Sequence, residues 1–330
     1  MTTTGKWLAG AGLLAVILAC GHAVYRGDPT PPEGERVTDD RSDAGDPAGT
    51  AWVVDAEQAL ADVRDGARLL DARTVEQYAA GHVVGATAVQ WQAFSAEGDV
   101  ERGRLSPDDA VLQAAIDALG IRADAPVRVV GDPVLGWGED GRIVWTLRTL
   151  GHGDVALVDG GHAALVTAGA EVRTDGATAP AGPAPVGGMR IDRRLDWSID
   201  TAALQALLDD GAVERGEVVL IDAREAREYA GETPYGESRG GHVPGAVHLH
   251  YRALLTAQGF LRPVAELQQI LESRGARPGL PVVVYCTGGV RSGWFVAALS
   301  ALGHGDVRNY PGSMWAWAAG PPDAFPLETD

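Results

Sequence analysis

Short runs rich in β-branched residues alternate along the chain with segments of helical period. Val218–Ile221, Val282–Tyr285 and Val307–Tyr310 are such runs, the pattern of strands covered on both faces. Between runs, Val111, Leu112, Ala115, Ile116 and Leu119 recur at helical spacing and stop at Gly120. Ser106 is placed to N-cap that helix, with Pro107 in its first turn. A counterpart spans Pro263 to Arg274 and stops at Gly275; Trp52–Val63 and Ile199–Leu208 also have helical patterns, with Asp55 and Ser198 or Asp200 as caps. The alternation predicts an α/β fold in which parallel sheets are flanked by helices.

The pattern occurs twice. Leu69-Leu70-Asp71-Ala72-Arg73 is answered by Leu220-Ile221-Asp222-Ala223-Arg224, and Gly81-His82-Val83-Val84-Gly85-Ala86 by Gly241-His242-Val243-Pro244-Gly245-Ala246. Leu150-Gly151-His152-Gly153-Asp154-Val155 returns as Leu302-Gly303-His304-Gly305-Asp306-Val307. The period is too long for a solenoid and describes two tandem domains, 50–176 and 193–327, joined by a Gly/Ala/Pro linker at 177–192. Each copy is expected to fold separately.

The first 49 residues follow another logic. Leu8–Ala19 is an uncharged apolar run ending in Ala19-Cys20-Gly21, which resembles a bacterial lipobox. Residues 1–23 thus read as an export or lipoprotein signal with Cys20 as the lipidated thiol and a possible membrane anchor, and 24–49 as a flexible tether. The expected location is the periplasm or cell envelope.

Over the 330 residues, hydrophobic residues at 45% and charged residues at 22% exclude wholesale disorder. Forty-five acidic against 27 basic side chains leave a formal charge of −18, which repels nucleic-acid backbones and makes a nucleic-acid partner unexpected. Small anions remain compatible, because a local nest of N–H groups can overcome a diffuse surface charge. Two cysteines, Cys20 and Cys286, cannot build a disulfide framework or a multi-cysteine metal site.

Cys286 follows a buried-strand pattern directly and opens Cys286-Thr287-Gly288-Gly289-Val290-Arg291-Ser292 ahead of an apolar helix. The end of a parallel strand and the start of a helix present unpaired N–H groups and a positive dipole end. The glycines let those N–H groups turn inward and Arg291 adds a cation, so a thiolate is favoured. Together with the repeat, the Asp222-Ala223-Arg224 element, the Gly-His-Val-Pro-Gly-Ala turn and Tyr310-Pro311-Gly312-Ser313-Met314-Trp315, this loop makes the chain resemble the tandem-domain rhodaneses, the thiosulfate or 3-mercaptopyruvate sulfurtransferases.

The resemblance implies two rhodanese-like domains, the first lacking the cysteine. Asp132 would stand where copy two has Cys286, on a loop about two residues longer, and Asp132, Glu139 and Asp140 would repel an anionic donor. It also implies that Cys286 takes sulfane sulfur from a small anionic donor as a persulfide and passes it to cyanide or a thiol, with no metal or organic cofactor. Thr287, Gly288, Gly289, Val290, Arg291 and Ser292 would bind the donor, Arg291 by orienting it, and Arg227 stands near a substrate arginine of the family. The loop matches neither Cys-Arg-Lys-Gly-Val-Thr of the thiosulfate type nor Cys-Gly-Ser-Gly-Val-Thr of the mercaptopyruvate type, so donor choice stays open.

Asp71, Arg73, Asp222 and Arg224, present in both copies, read as buried ion pairs or turn braces, and His82 and His242 as structural hydrogen-bonding groups. His248 and His250 lack a third ligand for zinc. Trp294, Trp315 and Trp317 fit core or interdomain packing or a pocket mouth. A cysteine phosphatase would need Cys-x5-Arg around its oxyanion, whereas Arg291 gives Cys-x4-Arg. A membrane-tethered, non-catalytic sulfur-relay or binding module is the alternative of a different class.

Overall fold

The computed structural model describes residues 50–174 and 187–329. The export signal, the tether, Cys20 and most of the linker lie outside them. In the first copy, β1 (Val53–Val54), α1 (Ala56–Arg64), β2 (Arg68–Asp71), α2 (Val75–Ala80), β3 (His82–Val83), β4 (Thr87–Ala88), α3 (Asp109–Ala118), β5 (Val127–Val130), α4 (Glu139–Thr149), β6 (Val155–Val158), α5 (Gly161–Thr167) and β7 (Val172–Arg173) follow one another. The second runs α6 (Thr201–Asp209), β8 (Val219–Asp222), α7 (Ala226–Tyr229), β9 (Val247–His248), α8 (Val264–Glu272), β10 (Val282–Tyr285), α9 (Val290–Ala301), β11 (Val307–Asn309) and α10 (Ser313–Trp317).

Each copy builds its own parallel sheet, in the orders β1-β6-β5-β2-β4 and β11-β10-β8-β9. The central strands, Val127–Val130 and Val282–Tyr285, are buried at every position, as sheets covered on both faces require. Asp55 and Asp200 cap α1 and α6 through the amides of Gln58 (2.7 Å) and Ala203 (2.8 Å). Two boundaries differ from the sequence expectation. Val53–Val54 pairs with β6 as an edge strand, so that helix starts only after Asp55. The cap of α3 is Asp108, which accepts from Ala110 N–H, while Ser106 accepts from Asp108 N–H one step earlier.

The copies share one core, and each keeps a smaller one of its own, around Leu69 and Tyr78 in the first and Leu220 and Trp317 in the second. One hydrophobic cluster joins Trp52, Leu70, Val129 and Trp145 of the first to Val284, Trp294, Phe295 and Leu299 of the second, and the described residues belong to one compact unit. The cause is α4 against α9: both are buried almost throughout, so neither has a solvent face. They meet at Gly141, where a Cβ would lie 2.4 Å from Trp294 Cα. The end of the expected linker is also fixed to copy one: Met189 N–H donates to Ile121 (3.0 Å) and Asp192 N–H to Leu150 (3.0 Å).

Candidate active site

The apolar run Val282–Tyr285 forms the central strand β10, and Cys286-Thr287-Gly288-Gly289 leads from its C-terminal end into α9. Gly289, at φ +78°, caps α9 in the left-handed conformation and so turns its N–H onto the sulfur. That N–H donates to Cys286 Sγ at 3.1 Å, and the Ser292 hydroxyl lies 3.5 Å from it. The residue is 1% exposed. Burial pushes the thiol up, but the Arg291 charge, the Ser292 hydroxyl and the N–H groups of Ser292 and Gly288 outweigh it and bring the thiol below its ordinary value.

Gly288 is held under Trp315, where a Cβ would come within 2.0 Å of the indole. Only glycine fits there. Thr287 and Trp315 are tied by a backbone bond of 3.0 Å, and Cys286 and Met314 by one of 3.1 Å.

Ser313 is a site residue whose role sequence reasoning missed, although its motif was conspicuous. Its hydroxyl accepts from Cys286 N–H (3.0 Å) and Gly289 N–H (3.1 Å) and donates to the Tyr310 carbonyl (2.7 Å). To reach them it adopts φ +48°, alone among the described non-glycine residues. Ser313→Ala keeps that backbone strain and strands the Cys286 amide, so a stability loss of about 1–3 kcal/mol is expected in urea unfolding. Ser313→Gly also loses the hydroxyl but relaxes the strain and should recover part of it; equal losses would place the cost elsewhere.

Arg291 is buried, as a loop cation should be, yet it is not free to hold a donor. Its Nη1 and Nη2 donate to Glu228 Oε2 and Oε1 at 2.6 and 2.8 Å, and Thr287 donates to Oε1 at 2.7 Å. Burial would lower the Arg291 guanidinium, but Glu228 raises it overall. Above this pair lie the rings of Trp137, 5.3 Å from the guanidinium and supplied by copy one, and Tyr235, at 5.7 Å. Thr287 thus belongs to the ion pair, Ser292 to the sulfur, and Val290 to the first turn of α9, half-buried. Arg227 stays at the rim, bonded to Glu225 (2.7 Å) and to the Tyr235 hydroxyl (3.0 Å). Glu228, its neighbour, is the residue of that segment that reaches the loop.

The duplicated residues behave as braces. Arg224 clamps Asp222 and donates to the Gly241 carbonyl (2.7 Å), and Arg73 does the same with Asp71 and Gly81 (2.7 Å). His82 and His242 each hold a tyrosine carbonyl at 3.1 Å. His248 Nε2–H donates to the Arg224 carbonyl (2.8 Å), and His250 is pushed down to about 3 by burial and the charges of Arg291 and Arg252. Among the described residues no group of three His, Cys, Asp or Glu could hold a metal ion. Trp294 packs between the copies, Trp317 fills the core of the second, and Trp315 covers the loop.

Copy one corrects the expected register. Val130 pairs with Asp71 as Tyr285 pairs with Asp222, and the Gly131 carbonyl accepts from His162 N–H as that of Cys286 does from Met314. Gly131, not Asp132, therefore stands at the cysteine position, and the segment from there to Leu150 is three residues longer than from Cys286 to Leu302. A Cβ on Gly131 would lie 2.4 Å from Asp140 Oδ2: a carboxyl group fills the space that a side chain would take. Asp132 accepts from the amides of Val134 and Leu135 in its own loop and from Gln77 Nε2 on α2 (2.8 Å), and Glu139 from the amide of Trp137.

Burial pushes Asp140 up to about 7, so near neutrality it is only partly the anion expected from sequence. A carboxyl raised on folding costs nothing below about pH 4, costs progressively more up to its folded value, and a constant amount above it. Asp140→Asn is therefore expected to stabilise the protein by about 2 kcal/mol at pH 8 and hardly at pH 4. Urea unfolding at both pH values checks this; an equal change at both would assign the effect to packing.

Comparison with known proteins adds what the geometry alone does not. Residues 200–320 match the family model of the rhodanese-like domain. The thiosulfate sulfurtransferase of Pseudomonas aeruginosa is 32% identical over 259 residues, covering 77% of this chain and 88% of the relative. The sulfur carrier protein TtuD of Thermus thermophilus is 29% identical over 254 residues, 73% of this chain and 83% of that one. Among solved structures, wild-type EanB aligns with a TM-score of 0.71 at 22% identity, over 84% of this chain and 69% of that one. YnjE aligns at 0.70 and 21%, over 84% and 68%.

Proposed function

We propose, for a chain that belongs to the rhodanese family of sulfurtransferases, that Cys286 is its sulfur carrier and that thiosulfate is its donor. The observation that carries this reading is the sulfur itself: a buried thiol at the end of a central strand, receiving the Gly289 N–H at 3.1 Å and lowered below its ordinary value. The thiolate attacks the outer sulfur of thiosulfate, the sulfur–sulfur bond of the donor breaks, and sulfite leaves with the electron pair. Cys286 is left as a persulfide anion, whose charge falls on the groups that favoured the thiolate. In the second step cyanide or a thiolate attacks the terminal sulfur and Cys286 returns as thiolate. Every step moves one sulfur atom and one electron pair, so charge balances throughout.

Thiosulfate is favoured over 3-mercaptopyruvate by the relatives named for it. The intact mass of the protein after exposure to thiosulfate tests the reading: a gain of one sulfur atom, mapped to Cys286 and removed by cyanide, is expected. Turnover with 3-mercaptopyruvate alone would reverse the choice of donor. A folded, reduced protein that acquires sulfur from neither would refute Cys286 as the carrier.

A further inference from the structure

We propose that Arg142, contributed by the copy without a cysteine, is a positioning residue that supplies the uncompensated positive charge favouring the Cys286 thiolate and persulfide. The inference rests on the reading of Cys286 as the sulfur carrier.

The charges around the loop lead to it. Arg291 lowers the Cys286 thiol by its nearness, but it and Glu228 are both buried and joined by two hydrogen bonds, so the pair adds no net charge to the site. Arg142 is different. It is fully buried on α4, donates from Nη1 to the Gly289 carbonyl at 3.0 Å and from Nη2 to the Gly103 carbonyl at 2.8 Å, and its Nε has no partner. Its guanidinium lies 4.6 Å from the Trp145 ring and 5.7 Å from that of Trp91. Among the described residues no carboxylate is within ion-pair distance of it. A buried cation with only carbonyls and aromatic faces around it is costly unless an anion lies nearby.

The anion is Cys286. The residue whose carbonyl Arg142 holds is the one whose N–H donates to Sγ, and a Cβ on Gly289 would lie 2.5 Å from Arg142 Nη1. Burial brings Arg142 down to about 9, and the charge on Cys286 acts on it in the opposite sense. With Arg291 and Glu228 cancelling, these two with Arg142 and Cys286 carry one positive charge when Cys286 is a thiol and none when it is a thiolate or persulfide; the buried Glu237 carboxylate stands at the Thr287 end of the loop, 3.4 Å from the Thr287 hydroxyl and bonded to the Tyr235 N–H. Losing the proton, or gaining a sulfur as an anion, therefore completes a pair that packing of α4 against α9 has already prepared. The copy without a nucleophile is thus part of the site.

The test is the pH dependence of Cys286 alkylation by iodoacetamide in the whole protein, with unfolding followed in parallel. Arg142→Met removes the charge and is expected to raise the midpoint by about one pH unit, a tenfold loss of alkylation rate at pH 6. Arg142→Lys keeps the charge and loses the fork, and is expected to stay within a few tenths of a unit of wild type. Arg142→Gln replaces the methionine variant if that does not fold. A neutral variant with the wild-type midpoint would overturn the proposal, and so would a lysine variant displaced as far as the neutral one. Alkylation reads the charge around Sγ whether or not sulfur is transferred. A wild type that accepts no sulfur would therefore refute the carrier reading while leaving the Arg142 comparison to be read on its own.

Discussion

Cys286→Ser is expected to lower sulfur transfer about ten-thousand-fold or more while the protein stays folded. The replacement is close to isosteric, and its hydroxyl oxygen can accept the Gly289 N–H that now binds Sγ at 3.1 Å. What it loses is chemistry. The surroundings bring a thiol below its ordinary value, but the same surroundings leave an alcohol protonated at neutral pH, and an oxygen cannot carry the sulfur as a persulfide. Initial rates with thiosulfate and cyanide, on protein shown to unfold in urea as wild type does, make the comparison. A serine variant retaining about a tenth of the wild-type rate would mean that sulfur passes without this residue. The prediction also separates Cys286 from the braces: Asp222 and Arg224 are as deeply buried, yet the same pair recurs as Asp71 and Arg73 in a copy with no cysteine at that position.

The fold was legible because it rests on signals that repeat. The runs at Val282–Tyr285 and Val218–Ile221, the Asp-Ala-Arg elements and the Gly-His elements each occur where local chemistry requires them; the structure places the runs as parallel strands and the Asp-Ala-Arg elements as braces, while His82–Val83 of the Gly-His element forms a short strand antiparallel to β7. The cysteine loop was legible for the same reason, since a strand, two glycines and a helix start are contiguous in sequence. What escaped depends on residues far apart in the chain. Glu228 reaches Arg291 across 63 positions, Arg142 reaches Gly289 across 147, and Ser313 reaches Cys286 across 27. Nothing in the spacing of charges along a strand or helix foretells such partners. The shift from Asp132 to Gly131 has a related origin: a longer loop in one copy hides the register, which only strand pairing reveals.

The Glu228–Arg291 pair gives the second large effect, in two opposite directions. Glu228→Gln preserves shape and hydrogen-bonding oxygen but leaves the buried Arg291 without a counter-charge, which is expected to cost about 3 kcal/mol of stability at pH 7. Burial would raise the Glu228 carboxyl, but Arg291 first, and then the hydrogen bonds from Arg291 and Thr287, bring it below its ordinary value. A carboxyl lowered on folding stabilises above its unfolded value, near 4.3, and that stabilisation is lost as the pH falls through the folded value. The difference between wild type and Glu228→Gln should therefore be full at pH 7 and shrink below about pH 4. The site responds the other way. Freed from Glu228, Arg291 leaves a net positive charge beside the loop, so a dianionic donor such as thiosulfate should bind more tightly and its KM fall several-fold, more at low salt than at high. Urea unfolding across pH and thiosulfate kinetics at two ionic strengths measure the two halves. A KM that rises instead would show that Glu228 aims Arg291 at the donor, and that the carboxylate serves sulfur transfer as well as stability.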